Sequence, residues 1–239
     1  MKENLDIEAD GYSYIIALTG ASGAIYGFSL LKTLINRSFF VHLIISKPGF
    51  KVIKDELGMF TGISDIYTNG GEAGTGGNRE DYSLSSFNLD IKNEIINRFE
   101  LQEGCCRFAF LDENFLEARI ASGSAKNVKG MIVIPCSMGS LSRIANGISG
   151  NLIERAADVI LKERKKLIIC PRETPLNDIH LKNMLSLYSS GAVILPPVPA
   201  FYNKPQTVSD IIDFITGKIL DALDIENDIY VRWKGYDSK

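Results

Sequence analysis

The sequence predicts an α/β fold, namely a three-layer, doubly wound parallel sheet with helices on both faces. Two observations lead to this prediction. Short apolar runs alternate along the chain with helical patterns, the arrangement typical of parallel sheets. The runs are also apolar at nearly every position, as strands are when both faces of their sheet are covered. The length of 239 residues fits a single domain spanning 1–239.

The elements follow one another in a regular order. A first strand is predicted at 14–18, followed by a glycine turn and an amphipathic helix at about 23–35. Further strands and helices are predicted from the same patterns: strands at 39–45, 131–135, 167–171 and 192–195, and helices at about 141–163, 178–189 and 208–223.

The stretch 55–115 interrupts this alternation. It contains the glycine-rich segment 69–78 (NGGEAGTGGN), which is typical of a flexible loop. A helical pattern follows at about 89–101. We therefore predict an insertion or lid within the domain here, and not a separate domain.

The turn after the first strand, Thr19-Gly20-Ala21-Ser22-Gly23, indicates an anion site. Glycine lets the backbone approach an anion closely, and the N-terminus of the following helix offers free N–H groups and a favourable dipole. The Ser22 hydroxyl could be a further donor. The turn departs from G-x-G-x-x-G and lacks the lysine of a Walker A loop. A tight turn whose glycines serve only packing remains the alternative.

The end of the second strand indicates which nucleotide suits this turn. Dinucleotide folds usually place Asp or Glu about 20 residues after the glycine turn to hold a ribose hydroxyl. Here the strand ends at Ser46 and Lys47, and no acid follows before Asp55. This disfavours NAD but leaves NADP open, since Lys47 could meet a 2′-phosphate. A mononucleotide such as FMN suits the site better, with Ser46 hydrogen-bonded to it.

Polar loops follow the later strands. The run Ser137-Met138-Gly139-Ser140 comes after the third buried strand, and Arg172-Glu173 follows the next one between two prolines. Loops at the carboxyl ends of parallel strands line the ligand crevice, so we expect both loops there. Two ordinary roles compete: Ser140 or Ser142 as a helix N-cap, and Arg172-Glu173 as a solvated pair.

Charge and composition exclude some classes of function. The net charge of −3 gives no support for nucleic-acid binding, which usually needs a basic face. No apolar run approaches the roughly 20 residues of a membrane span. The polar, acidic start at 1–10 is unlike a signal or transit peptide, so we expect a cytoplasmic protein. The four cysteines have neither disulfide nor zinc-ligand spacing, and we expect reduced thiols and no metal: Cys105, Cys106, Cys136 and Cys170.

Several segments together carry a family resemblance. They are 18–27 (LTGASGAIYG), 120–124 (IASGS), 135–142 (PCSMGSLS), 151–164 (NLIERAADVILKER), 171–175 (PRETP), 180–185 (HLKNML) and 191–206 (GAVILPPVPAFYNKPQ). In these segments the chain resembles the UbiX flavin prenyltransferases, long described as aromatic-acid decarboxylases. The stretch 55–115 matches poorly.

The resemblance implies a flavodoxin-like Rossmann fold in a homo-oligomer, a trimer or a dodecamer, that binds FMN. Such enzymes join a dimethylallyl group from dimethylallyl phosphate to reduced FMN at N5 and C6. The product, prenylated FMN, serves UbiD-type decarboxylases. The family needs no metal.

The resemblance also implies roles for individual residues. FMN would be bound by Gly20, Ala21, Ser22, Ser46, Ser137, Met138, Gly139, Ser140 and Arg155. The prenyl phosphate would be held by Lys162, Arg172, Tyr202 and Lys218, and Ser22 could reach it too. Glu173 would act as the acid/base group. Trp233 would offer its π-face to an allylic cation-like transition state. As alternatives, Arg155 is an exposed helical arginine, Lys162 belongs to a solvated charged run, and the loop before Tyr202 is a packed connector.

One position departs from the family pattern. Lys218 stands where the family usually carries arginine, in the segment Gly217-Lys218-Ile219-Leu220-Asp221. Lysine keeps the charge but loses the bidentate fork, so we expect weaker or differently arranged prenyl-phosphate binding.

Two other functions compete with the prenyltransferase. An FMN-dependent cysteine decarboxylase-like flavoprotein would carry an early catalytic histidine, but His42 lies in a strand pattern and His180 begins a helix. Packing or capping explains both histidines better. A non-catalytic flavin carrier is the second alternative, and the intact Glu173 and Tyr202 count against it.

Overall fold

A computed structural model describes residues 11–61, 84–101, 107–233 and 235. The glycine-rich segment 69–78 lies outside the described residues, as do Cys105 and Cys106.

Six parallel strands form one sheet in the order β3-β2-β1-β4-β5-β6. The strands are β1 (Ser13–Leu18), β2 (Phe40–Ile45), β3 (Phe108–Asp112), β4 (Val128–Cys136), β5 (Lys166–Pro171) and β6 (Val193–Ile194). All six residues of β1, which lies at the centre, are buried. The doubly wound parallel sheet predicted from the alternating pattern is therefore confirmed.

Helices cover both faces of the sheet. They are α1 (Ala24–Asn36), α2 (Lys47–Leu57), α3 (Leu84–Arg98), α4 (Met138–Ala145), α5 (Leu152–Lys162), α6 (Asp178–Ser189) and α7 (Val208–Ala222). Alternate side chains of β1 enter two separate cores, Ile16 with α1, α3 and α7, and Ile15 with α4, α5 and α6. The result is a three-layer fold.

Two elements differ from the sequence prediction. The single helical pattern at 141–163 is two helices, since α4 ends before Gly147, which has a φ of +67°, and Asn151 caps the start of α5. The stretch 55–115 is also more than an interruption, because β3 pairs with β2 and forms the edge of the sheet. This strand is only five residues long and partly exposed, which weakens its sequence signal.

Candidate functional site

The sheet has one switch point, between β1 and β4. The chain winds from β1 through β2 to β3 on one side and then crosses to β4 on the other side of β1. In open α/β sheets a ligand crevice forms where the strand order reverses, outside the carboxyl ends of the strands. The glycine turn at 19–23 follows β1 and the polar loop at 137–140 follows β4, so both border this crevice.

Thr19 joins the two loops. Its hydroxyl donates to the Pro135 carbonyl at 2.8 Å and accepts from the Ser137 N–H, also at 2.8 Å. Thr19 is almost fully buried, so these hydrogen bonds are shielded from water. Thr19 therefore fixes the distance across the crevice floor. Thr19 was predicted only as part of the anion-binding turn, although a hydroxyl directly after a buried strand was a usable signal for a contact between loops.

The N-terminus of α1 already contacts an anion of the protein itself. Gly23 is the N-cap and offers no side-chain cap. Instead, the N–H groups of Gly23 and Ala24 donate to the carboxylate of Glu56, which lies in the last turn of α2, at 3.0–3.1 Å. This carboxylate satisfies two amides that the helix dipole makes attractive to anions. A phosphate at the turn is thus left with Gly20 to Ser22 and the neighbouring loops, unless Glu56 moves.

Gly20 also serves packing. A Cβ at this position would lie 2.5 Å from the Pro48 Cβ, so the turn touches the first residues of α2 closely. Ser22 remains half-exposed beside it. The packing alternative therefore holds for Gly20, and Ser22 is the member of the turn with a hydroxyl open to a ligand.

Two of the predicted FMN-binding serines are helix caps. The Ser46 hydroxyl accepts from the Gly49 N–H at 3.1 Å and caps α2, and the Ser137 hydroxyl accepts from the Ser140 N–H at 3.3 Å and caps α4. Capping of this helix by Ser140 or Ser142, the alternative to a functional role, does not occur, because Ser137 precedes the first turn and its hydroxyl reaches the free amide.

The start of α4 has room for a ligand. A Cβ added to Gly139 would meet nothing within 4 Å, and Gly139 is exposed at the helix N-terminus. Free amides, a serine hydroxyl and open space together suit an anionic or hydrogen-bonding edge of a flavin nucleotide. Unlike the first turn of α1, this one faces no carboxylate in the contacts seen among the described residues.

Arg172 and Glu173 lie at the same edge of the sheet. The Arg172 N–H donates to the Cys136 carbonyl at 3.0 Å, which holds the loop after β5 beside the start of the Ser137 loop. Both side chains are exposed, and the Glu173 carboxylate accepts from the adjacent Thr174 N–H at 3.0 Å. The pair therefore borders the crevice with groups that can reach a ligand.

Tyr202, Trp233 and Lys218 form a second group, on α7 and the segment around it. The Tyr202 and Trp233 rings meet edge to face with centroids 5.7 Å apart. The Lys218 ammonium lies 3.7 Å from the Asp221 carboxylate. About half of each of these three side chains is exposed.

Arg155 and Lys162 lie on α5. The Arg155 guanidinium donates to the Ala121 carbonyl and to Asp158, both at 3.2 Å, and Lys162 pairs with Glu163 at 3.5 Å. Lys162 precedes β5 whereas Arg172 follows it, so the two residues lie at opposite ends of that strand. One chain does not bring Lys162 together with Arg172.

The buried carboxylate of Glu113 was not predicted from the sequence. It follows β3, accepts from the Lys47 N–H at 2.8 Å and from the Asn151 side chain at 3.5 Å, and so joins the starts of α2 and α5. Burial raises its pKa. Glu113 lies in the poorly matched stretch, where no local pattern distinguished it from surface acids.

The histidines and the described cysteines have structural surroundings. Burial, and secondly the charge of Arg119, lower the pKa of His42 to about 4, and its ring packs against Phe40. His180 belongs to the capping box at the start of α6. Burial raises the pKa of the Cys136 thiol to about 12, which makes it a poor nucleophile. Packing and capping, as expected for the two histidines, are confirmed.

Two other features are absent from the described part of the chain. Residues 11–61, 84–101, 107–233 and 235 contain no group of three or more His, Cys, Asp or Glu side chains arranged to hold a metal ion. Within the same ranges, no helix combines the length and the apolar character needed to cross a bilayer.

Comparison with known proteins agrees with this geometry. The flavoprotein family model matches residues 3–220. A flavin prenyltransferase UbiX from Halalkalibacterium halodurans is 44% identical over 220 residues, 92% of each chain. The crystal structure of AnUbiX in complex with FMN and dimethylallyl pyrophosphate superposes with a TM-score of 0.72 at 35% identity, over 95% of this chain and 100% of that one. A dodecameric FMN-dependent UbiX-like decarboxylase from Escherichia coli O157:H7 gives 0.71 at 35% identity, over 93% and 100%.

The fold is doubly wound α/β, and the family match makes the chain a flavoprotein of that class. Within that class, the chain belongs to the UbiX family of flavin prenyltransferases.

Proposed function

We propose that this protein is a flavin prenyltransferase that joins the dimethylallyl group of dimethylallyl phosphate to reduced FMN at N5 and C6. The observation that carries the proposal is the meeting of three loops at the switch point: the glycine turn, the Ser137 loop and the Arg172-Glu173 pair. Reduced FMN supplies the nucleophilic atoms of the reaction.

The flavin would lie between the first two loops. Thr19 sets their separation, Ser22 offers a free hydroxyl on one side, and the open N-terminus of α4 at Gly139 offers amides on the other. Ser46 caps α2 through its oxygen lone pair, which leaves its hydroxyl proton available as a donor.

Cationic side chains would stabilise the departing phosphate. Breaking the allylic C–O bond places negative charge on the phosphate, and preorganised donors at that point lower the barrier most when water is excluded. Arg172 can offer two parallel N–H groups and Lys218 a single charge. The Tyr202 hydroxyl is a further donor, and the Trp233 ring can face the developing cation.

Glu173 would be the proton-transfer group. Its carboxylate stands at the crevice edge, next to Arg172 and held by a backbone N–H. A carboxyl group there can protonate the leaving phosphate and later accept the proton lost when the new ring forms.

The site would be completed in a homo-oligomer, a trimer or a dodecamer. Lys162 lies at the opposite end of β5 from Arg172, so it can reach a prenyl phosphate only from a second copy. The exposed face of α6 offers apolar area for association through Leu181, Leu185 and Tyr188. We further propose that the prenylated flavin passes to a UbiD-type decarboxylase. The cytoplasmic location stays a prediction.

Phosphate release tests the proposal. Purified protein is mixed anaerobically with dimethylallyl phosphate, with and without reduced FMN, and inorganic phosphate is measured. We expect release only when reduced FMN is present. FMN that binds without any phosphate release would instead indicate a flavin carrier. A parallel series with dimethylallyl pyrophosphate measures which donor is preferred.

A further inference from the structure

The C-terminal tail, residues 224–233, turns back along α7. Asp224 has a positive φ of 58°, and the Ile225 N–H donates to the Leu220 carbonyl at 2.9 Å, which reverses the chain at the end of the helix. Asn227 then reaches the Gly217 carbonyl at 3.4 Å. The tail therefore runs beside the last turns of α7, towards the group that contains Lys218.

Three side chains of the tail converge on one carboxylate of α7, that of Asp221. The Arg232 guanidinium donates to both of its oxygens, at 2.7 and 3.1 Å, in the two-point fork that only arginine makes. Tyr230 donates its hydroxyl to Asp221 at 2.6 Å, and Asn227 donates its amide at 2.8 Å. Arg232 also donates to the Tyr230 hydroxyl at 3.0 Å, so the contacts form one network.

Gly217 makes room for this network. A Cβ at Gly217 would lie 2.2 Å from Cδ1 of Tyr230, so only glycine lets the ring lie against the helix at this point. The Tyr230 ring also meets Phe214 edge to face, with centroids 5.3 Å apart. Helix and tail are thus matched in shape as well as in charge.

The network bears on two residues of the proposed site. Trp233 directly follows Arg232, and its ring meets that of Tyr202, which in turn meets Phe214 with centroids 6.1 Å apart. Lys218 lies 3.7 Å from the same Asp221 carboxylate. Because Arg232 occupies both carboxylate oxygens, Lys218 is left with a longer contact and an ammonium group open to another anion.

We propose that Arg232 is a positioning residue for prenyl transfer: its fork on Asp221 holds Trp233 against Tyr202 and leaves Lys218 available to the prenyl phosphate. This proposal rests on the proposed function. Without the guanidinium, Asp221 keeps its charge and attracts Lys218, while the residue before Trp233 loses its attachment to α7.

Trp233 is the only tryptophan of the chain, so its fluorescence reports this position directly. In the ligand-free Arg232→Gln protein we expect emission at longer wavelength and stronger quenching by acrylamide than in the wild type. We also expect KM for dimethylallyl phosphate to rise by about tenfold, the typical effect of losing a charge-assisted hydrogen bond, with FMN affinity unchanged. Arg232→Lys keeps the charge without the fork, so its emission and its KM should lie between those of the wild type and those of Arg232→Gln.

Arg37→Gln is the matched control. Arg37 contacts the same tail, at the Glu226 carbonyl and at Asp228, but takes no part in the fork. It should leave emission and KM as in the wild type, and equal changes in both variants would overturn the proposal, as would unchanged emission in Arg232→Gln. Gly217→Ala provides a second variant that displaces Tyr230 and should shift emission in the same direction. If the emission of the variants shifts as expected but the wild type transfers no prenyl group, the proposed function is overturned instead.

Discussion

Glu56 places a carboxylate where the sequence predicts a phosphate. Its two oxygens take the first amides of α1, a helix that has no side-chain cap of its own. Neither the turn nor the helix reveals this from sequence, since the partner lies 33 positions away from Gly23 in a stretch predicted as an insertion. At the scale of single residues, a motif predicts which hydrogen-bonding groups it contains. It does not predict whether a tertiary contact already occupies those groups.

Glu56→Ala is expected to destabilise the fold by about 1 kcal/mol, because two helix-terminal amides lose an anionic acceptor. Urea unfolding followed by circular dichroism measures the change. Asp55→Ala is the control, one position earlier on the exposed side of the same helix, and should change stability little. Equal stability of both variants would mean that water replaces Glu56 without cost.

Glu173→Gln is expected to keep FMN binding and to lose about 10²- to 10⁴-fold of turnover, the usual contribution of a general acid–base group. The amide preserves the shape of the side chain and can still accept from the Thr174 N–H, but it transfers no proton. A flavin titration and the phosphate-release assay separate the two effects. Unchanged turnover would remove Glu173 from the role proposed for it.

At the scale of elements, the loops after β1, β4 and β5 meet because parallel strands bring their carboxyl ends to one edge. The sequence predicted these loops from strand ends alone, and the Thr19 hydrogen bonds show how closely two of them are joined. The break between α4 and α5 was not predicted, because apolar periodicity continues across Gly147. β3 was missed because its apolar run is only four residues long and lies in the stretch that interrupts the alternating pattern.

The packing of α1 on the sheet depends on Gly27. A Cβ there would lie 2.8 Å from the Ile134 carbonyl and 3.0 Å from Leu18, so we expect Gly27→Ala to destabilise by about 1–3 kcal/mol through overpacking. Gly139→Ala, at a helical glycine with open space around it, is the matched control for stability and should lose none. Thermal unfolding of both variants is the measurement. A Gly27→Ala protein as stable as the wild type would show that α1 can move away from β4.

At the scale of the whole molecule, the fold class and the family could be predicted, since both depend on patterns spread over the entire chain. The site was predictable only in part. Residues directly after strands lie where expected. The role proposed for Lys162 requires a second copy of the chain. The contact between Arg232 and Asp221 is evident only from the path of the tail along α7. Contacts between distant segments leave no local trace in a sequence.

Assembly is expected to depend on the exposed face of α6. Leu185, 63% exposed, lies on that face, and a charge there should weaken association because an unpaired carboxylate would be buried at the contact. Light scattering after size-exclusion chromatography should show a smaller particle for Leu185→Glu than for the wild type. Leu89→Glu, at an exposed leucine of α3, should keep the wild-type mass. A monomeric wild type would contradict the proposal that a second copy supplies Lys162.

The mass of the flavin tests the central claim most directly. The protein is incubated anaerobically with reduced FMN and dimethylallyl phosphate. The flavin is then released, and its mass is measured by mass spectrometry. If the crevice between β1 and β4 catalyses prenyl transfer, the flavin gains one prenyl unit in the wild type and very little in Glu173→Gln. Bound FMN of unchanged mass in the wild type would contradict the account.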